Sequence, residues 1–137
     1  MTKRPFRLKP PVIREHPLQK QIIDCLRLEI GPPGKVSRDG VVYWSVDHAN
    51  YAGEVPGIRI GRGIVAGVPD LFCLHRGRAF FIEIKAEDGQ LSPAQMSVGA
   101  AIMAAGGQIG VVTSAEACLR VFDEWAIPRA GRVRIAA

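Results

Sequence analysis

The chain has 137 residues, of which 47% are hydrophobic and 23% are charged, and its formal net charge is +5 at pH 7. This length and composition are typical of a single globular domain, which we expect to span residues 1–137, with residues 1–11 as a flexible basic tail. The apolar runs are too short to cross a bilayer and the basic N-terminal segment has no apolar core, so neither a membrane span nor a secretory signal is predicted.

Three helices are predicted from apolar spacing and capping residues. The first covers residues 17–30 and ends at a Gly-Pro-Pro-Gly run. The second covers residues 92–105, with Ser92 as its N-cap and a proline in the first helical position. The third covers residues 114–125 and is capped by Ser114.

Strands are predicted around these helices. Residues 41–46 and 109–113 are apolar strand candidates, and residues 133–135 form a short last strand or a tail. The glycine-rich stretch 51–67 is predicted as turn and loop, with at most a short strand at 58–60.

The clearest local pattern is a β-hairpin with strands at 70–74 and 79–86. If Arg76 and Gly77 form its turn, paired positions sum to 153, and Asp70 lies directly opposite Glu83 with Cβ atoms about 5 Å apart. The complete element order predicts an α/β fold in which helices pack on a mixed sheet.

This hairpin gathers the groups that a phosphodiesterase needs. Lys85 shares a strand face with Glu83 because side chains alternate along a strand. Two facing carboxylates are unfavourable unless a cation neutralises them, and Mg²⁺ prefers such hard oxygen ligands. A second interpretation is open on these residues alone: Asp70 begins a strand, and Glu83 and Lys85 neutralise each other on a solvated face.

Three ordered motifs resemble the VRR-NUC family of the PD-(D/E)xK nuclease superfamily. They are Gly-Val-Pro-Asp-Leu at 67–71, Ile-Glu-Ile-Lys at 82–85 and Leu-Ser-Pro-Ala-Gln at 91–95, and the resemblance covers roughly residues 15–107. It implies a restriction-endonuclease-like three-layer sandwich, with a central mixed β-sheet flanked by helices. It also implies a Mg²⁺- or Mn²⁺-dependent DNA endonuclease that acts on branched or junction DNA as a homodimer.

Small stand-alone members of this family are typical of phages and prophages, so the resemblance implies the cytoplasm of a bacterial or phage-infected cell. The cysteine content agrees with a reducing compartment: three widely spaced cysteines have neither a disulfide framework nor zinc-ligand spacing.

The resemblance also assigns roles to the residues that match its motifs. Asp70 and Glu83 are implied metal ligands, the backbone carbonyl of Ile84 completes the ligand set, and Lys85 is the catalytic lysine.

Two further residues have competing interpretations. Gln95 matches a family glutamine near the active site, but Ser92-x-x-Gln95 is also a capping box, and one residue can serve both roles. Glu15 matches the acidic residue of the family's first helix and is a candidate catalytic residue and metal ligand. Pro17 disfavours helical geometry at the preceding residue, which would place Glu15 just outside the helix.

The positive net charge favours an anionic partner such as DNA. Candidate DNA contacts are Arg59 and Arg62 in the glycine-rich loop, Arg76 and Arg78 at the hairpin turn, and Asn50, which resembles a family asparagine upstream of the first motif.

Two functional alternatives stay open. The chain can be a DNA-binding or assembly module whose nuclease site is idle, or a nuclease that is active only with a helicase partner. The complete set of Asp70, Glu83 and Lys85 argues against an idle site.

Overall fold

A computed structural model of the chain describes Val12 and residues 14–46 and 56–131. Along the chain they form α1 (Glu15–Glu29), β1 (Val41–Ser45), α2 (Pro56–Gly61), β2 (Leu71–His75), β3 (Arg78–Ile84), α3 (Pro93–Ala104), β4 (Gln108–Val112) and α4 (Ala115–Glu124). The basic tail 1–11, Asn50 and the strand or tail at 133–135 lie outside the described residues.

The strands form one four-stranded sheet in the order β1-β2-β3-β4. β1 and β2 are antiparallel, β2 and β3 are antiparallel, and β3 and β4 are parallel. A parallel pair needs a crossover connection, and α3 provides it between β3 and β4. The prediction of an α/β fold with a mixed sheet is confirmed.

The hairpin register agrees with the sequence arithmetic. Leu71 pairs with Ile82 and His75 pairs with Arg78, so each pair sums to 153. Arg76 and Gly77 have φ of 50° and 73°, and a type I′ turn needs positive φ at both central residues. The predicted two-residue turn is confirmed.

The main core lies between one sheet face and helices α1 and α4. α1 buries Leu18, Ile22 and Leu26, which are spaced four residues apart and so form one helical stripe. Alternate residues of β3 face this stripe. The largest core side chains of these elements are Leu18, Ile22, Leu26, Phe80, Ile82, Ile84 and Phe122. Complete burial of each contributes about 1.5–3 kcal/mol.

Helices pack on both faces of β4. Gly99 of α3 lies close to Ile109, since a Cβ at Gly99 would be 3.4 Å from the Ile109 Cδ1 atom. A Cβ at the next residue, Gly110, would be 3.0 Å from Val121 of α4. Successive strand residues point to opposite faces, so α3 and α4 lie on opposite sides of the sheet.

Two sequence-based predictions were wrong, one of a helix boundary and one of an element type. α1 begins at Glu15 with Arg14 as its N-cap, two residues before the predicted start. Pro17 is then the third helical residue, where a backbone N–H has no intrahelical acceptor, so the proline removes no helix hydrogen bond.

The segment 58–60, predicted as loop or short strand, belongs to the helix α2. Ile58 and Ile60 are both exposed, so neither side chain is part of the core.

Among the described residues, none of the helices has both the length and the apolar composition required to cross a membrane.

Candidate functional site

Asp70 lies immediately before β2 and is fastened to both neighbouring strands. Its backbone carbonyl accepts a hydrogen bond from the Val46 N–H at 2.8 Å, just beyond the end of β1. Its carboxylate Oδ2 accepts a hydrogen bond from the backbone N–H of Ile84 at 2.7 Å. One step beyond the β2–β3 ladder, Asp70 therefore faces Glu83, as the hairpin register predicts.

Glu83 is a buried carboxyl group, with only 3% of the residue exposed. Burial raises the pKa of Glu83 to about 8, and the negative charge of Asp70 and a hydrogen bond between the two carboxyl groups add to this. The positive charge of Lys85 acts in the opposite direction, and Glu15 raises the pKa further. At neutral pH the pair therefore retains a proton, which relieves the repulsion between the two groups.

Gln95 connects Glu83 to the start of α3. Its Nε2 donates a hydrogen bond to Glu83 Oε1 at 2.9 Å, while its Oε1 accepts one from the Ser92 N–H at 2.9 Å. The Ser92 hydroxyl accepts a hydrogen bond from the Gln95 N–H at 3.1 Å. The predicted capping box is confirmed, and the same glutamine reaches the carboxyl pair.

Lys85 immediately follows β3, and its side chain pairs with the first residue of α1. Its backbone N–H donates to the Val112 carbonyl at 3.0 Å, which continues the parallel ladder. Its Nζ atom is 3.8 Å from Glu15 Oε1, and 12% of the Lys85 side chain is exposed, against 52% for Glu15. Glu15 thus reaches the site by pairing with the lysine.

The donor set suits a hard divalent cation. Mg²⁺ commonly takes one or two carboxylates, with water and substrate oxygens as its other ligands, and Asp70 and Glu83 form such a pair. The described residues contain no group of three or more His, Cys, Asp or Glu residues arranged to hold a metal ion. Coordination by Glu15 and by the Ile84 carbonyl therefore stays a prediction.

Two predicted DNA contacts lie far from the carboxyl pair. Arg76 is in the hairpin turn, and the Arg78 guanidinium carbon lies 4.9 Å from the centre of the Phe80 ring. Arg78 is five residues along the strand from Glu83, and Arg76 is six residues from Asp70, which corresponds to about 17–20 Å. Contacts from Arg76 and Arg78 would therefore be with DNA well away from the carboxyl groups.

The other predicted DNA contacts precede Asp70 in the chain. Arg59 lies in α2, and Arg62 lies in the turn that follows it, on the segment leading to Asp70. Asn50 is outside the described residues. DNA contact by these residues stays a prediction.

Sequence reasoning missed the structural role of Gly67. Its φ is +90°, and a Cβ there would collide with the carbonyl group of Ala94 and lie 2.7 Å from the Gln95 nitrogen. The segment leading to Asp70 therefore packs backbone to backbone on the start of α3. The glycine of the Gly-x-Pro-Asp motif was visible in the sequence, but its contact partner was not.

Comparison of the chain with protein-family models, with curated protein sequences and with solved structures found no match.

Proposed function

We propose that the chain is a Mg²⁺- or Mn²⁺-dependent DNA endonuclease of the PD-(D/E)xK type, similar to the VRR-NUC family, in a restriction-endonuclease-like three-layer sandwich. The observation that carries this proposal is the geometry of the half-buried Asp70 carboxyl beside the buried Glu83 carboxyl, with the positive charge of Lys85 acting on Glu83. Two carboxylates this close repel each other, and a divalent cation would satisfy both.

In this proposal Asp70 and Glu83 hold the cation, with the carbonyl of Ile84 and Glu15 as further ligands. A cation held there would lower the pKa of a water molecule and stabilise charge on the scissile phosphate. The chain fixes its ligands by two hydrogen bonds, from the Ile84 N–H to Asp70 and from the Gln95 amide to Glu83. Fixed ligands need no reorganisation during the reaction.

Lys85 supplies a positive donor at the same place. Its ammonium group would donate to the attacking water or to a phosphate oxygen as negative charge develops there. The pairing with Glu15 restricts this long side chain in advance, and its low exposure limits screening by water. Loss of the lysine should therefore abolish cleavage without affecting the fold.

The proposed partner is DNA, with branched or junction DNA favoured. The net charge of +5 favours association with the phosphate backbone, so binding should weaken steeply with salt. The proposed location is the cytoplasm of a bacterial or phage-infected cell.

We also propose a homodimer. α3 contains no charged residue, and the α3 side of the sheet exposes four large apolar side chains. These residues are Trp44, Val111, Met96 and Met103, and between 43% and 60% of each one is exposed to solvent. A second copy of the chain would cover this apolar surface.

A cleavage assay tests the proposed function. A labelled four-way junction, a linear duplex and a single strand are each incubated with Mg²⁺, Mn²⁺ or EDTA. We expect wild-type protein to cut in the presence of either metal, to fail in EDTA and to prefer the junction. Lys85→Ala should be inactive but folded.

The matched control is Lys20→Ala, which removes the same charge from an exposed ion pair with Asp24 on α1. It should cut like the wild type. If the wild type binds all three substrates but cuts none of them, the proposal of an enzyme is overturned. A DNA-binding module with an idle site is then favoured.

A further inference from the structure

The amide of Gln95 joins the cap of α3 to the carboxyl pair. Its oxygen accepts from the Ser92 N–H at 2.9 Å and its nitrogen donates to Glu83 at 2.9 Å. An amide nitrogen cannot accept a hydrogen bond from a backbone N–H. The bond from the Ser92 backbone N–H therefore determines that the amide nitrogen, which is the donor, turns to Glu83.

The start of α3 also contacts the segment that leads to the other carboxyl group. Gly67 packs against the backbone of Ala94 and Gln95 so closely that no Cβ fits, and Asp70 follows three residues later. One helix end thus contacts the segment that leads to Asp70 and, through Gln95, holds Glu83.

We infer that Ser92 is a positioning residue for the proposed cation site: its hydroxyl holds the backbone N–H of Gln95, from which the side-chain amide reaches the Glu83 carboxyl beside Asp70. This inference rests on the proposed function, since the cation is part of that proposal. Without the Ser92 hydroxyl, the Gln95 backbone N–H loses its hydrogen-bond acceptor. The backbone from which the Gln95 side chain extends is then held less firmly. Groups that orient metal ligands typically change metal affinity by 10- to 100-fold when mutated.

The chain contains a matched control for this residue. Ser114 caps α4 in the same way, with its hydroxyl accepting from the Ala117 N–H at 3.0 Å. Position 117 is alanine, so no side chain continues from this cap to a carboxyl group. Ser92→Ala and Ser114→Ala each remove one N-cap hydrogen bond, and the second change leaves the carboxyl pair untouched.

The first experiment measures Mn²⁺ binding by calorimetry on the full chain, together with its melting temperature. Both variants should lower the melting temperature by similar amounts. Only Ser92→Ala should weaken Mn²⁺ binding, by about 10-fold or more. Ser92→Thr, which keeps the hydroxyl acceptor, should restore wild-type affinity.

The second experiment needs no metal. Exchange of the Gln95 side-chain amide protons with solvent is measured by NMR. It should be slow in the wild type and in Ser114→Ala, and fast in Ser92→Ala.

The outcomes separate the two proposals. If the wild type binds and cuts but Ser92→Ala keeps wild-type Mn²⁺ affinity and slow Gln95 exchange, the role of Ser92 is overturned and the nuclease stands. If the wild type neither binds Mn²⁺ nor cuts DNA, the proposed function fails, and with it the cation role of Ser92.

Discussion

The carboxylate of Asp70 accepts a hydrogen bond of 2.7 Å from the backbone N–H of Ile84, the residue next to Glu83. The first carboxyl group is thus attached to the strand that carries the second one. This bond holds Asp70 beside Glu83, where its charge helps to raise the pKa of Glu83. The hydrogen bond from Ile84 therefore determines the position of Asp70 and, through that position, the contribution of its charge to the Glu83 pKa.

Two substitutions at Asp70 separate charge from hydrogen bonding. Asp70→Asn keeps an oxygen for the Ile84 N–H but removes the charge, so the pKa of Glu83 should fall from about 8 while the fold is retained. Asp70→Ala leaves the N–H without this acceptor and should destabilise the fold by about 1–3 kcal/mol. Carboxyl NMR titration and urea unfolding measure the two effects, and cleavage should be lost in both. An unchanged Glu83 pKa in Asp70→Asn would contradict the assigned role of the Asp70 charge.

Folding stability without metal should depend on the protonation of Glu83. The folded protein keeps the Glu83 proton up to a pKa of about 8, whereas the unfolded chain loses it near 4.5. Between these values the folded state binds more protons, so the free energy of unfolding should fall as pH rises. The expected loss is on the order of a few kcal/mol, because one pKa unit corresponds to about 1.4 kcal/mol.

Urea unfolding at pH 5.0 and at about pH 8.5 measures this loss, with Glu83→Gln as the control. The variant cannot titrate at this position, so its stability should change less than that of the wild type over this range. If the free energy of unfolding changed equally with pH in the wild type and in Glu83→Gln, Glu83 would not retain its proton.

Metal binding should compete with the same proton. Since ligand carboxylates must be ionised, Mn²⁺ affinity should rise between pH 6 and about 8, and binding near pH 7 should release close to one proton. Calorimetry in buffers with different ionisation enthalpies counts that proton. Added Mn²⁺ should also raise the melting temperature at pH 8. Affinity that does not depend on pH would place the cation elsewhere.

Gly67→Ala should be far more harmful than an alanine at another glycine of positive φ. Its Cβ would collide with the Ala94 backbone, whereas Gly40, with φ of +80°, has nothing within 4 Å of its Cβ position. Gly40→Ala should lose about 1–2 kcal/mol from backbone strain alone. Gly67→Ala should lose more than this and should also lose cleavage, which urea unfolding and the junction assay measure. Similar losses for both variants would indicate that the packing on α3 is loose.

The homodimer proposal predicts different results for two exposed apolar residues. Met103→Glu would place a charge on the apolar α3 side and should give a monomer by analytical ultracentrifugation. Leu28→Glu is the control, since Leu28 is 85% exposed but lies on α1, which packs against the other sheet face. It should leave the dimer intact. A wild type that sediments as a monomer at high concentration would rule the dimer out.

Sequence patterns were informative where the interaction is local. Ser92 and Gln95 are three residues apart, so their capping box follows from helix geometry alone. A one-residue shift in the hairpin would have separated Asp70 from Glu83, but the two-residue turn at Arg76 and Gly77 determines that pairing.

The same reasoning failed where neighbouring packing was needed. Residues 58–60, predicted as loop with at most a short strand, belong to α2, where Ile58 and Ile60 are both exposed. The predicted start of α1 was two residues late, because a proline disfavours helical geometry at the preceding residue. The first turn of α1 nevertheless accommodates Pro17.

The sequence by itself determined the hairpin register, the α3 cap and thus the set of groups at the proposed site, because each depends on residues close together in the chain. The tertiary structure decided the burial of Glu83, the contact of Gly67 with α3 and the pairing of Lys85 with Glu15, which lies 70 residues earlier. These features need separate elements to pack together. Packing removes water from Glu83, and loss of that hydration is the main reason its pKa is raised.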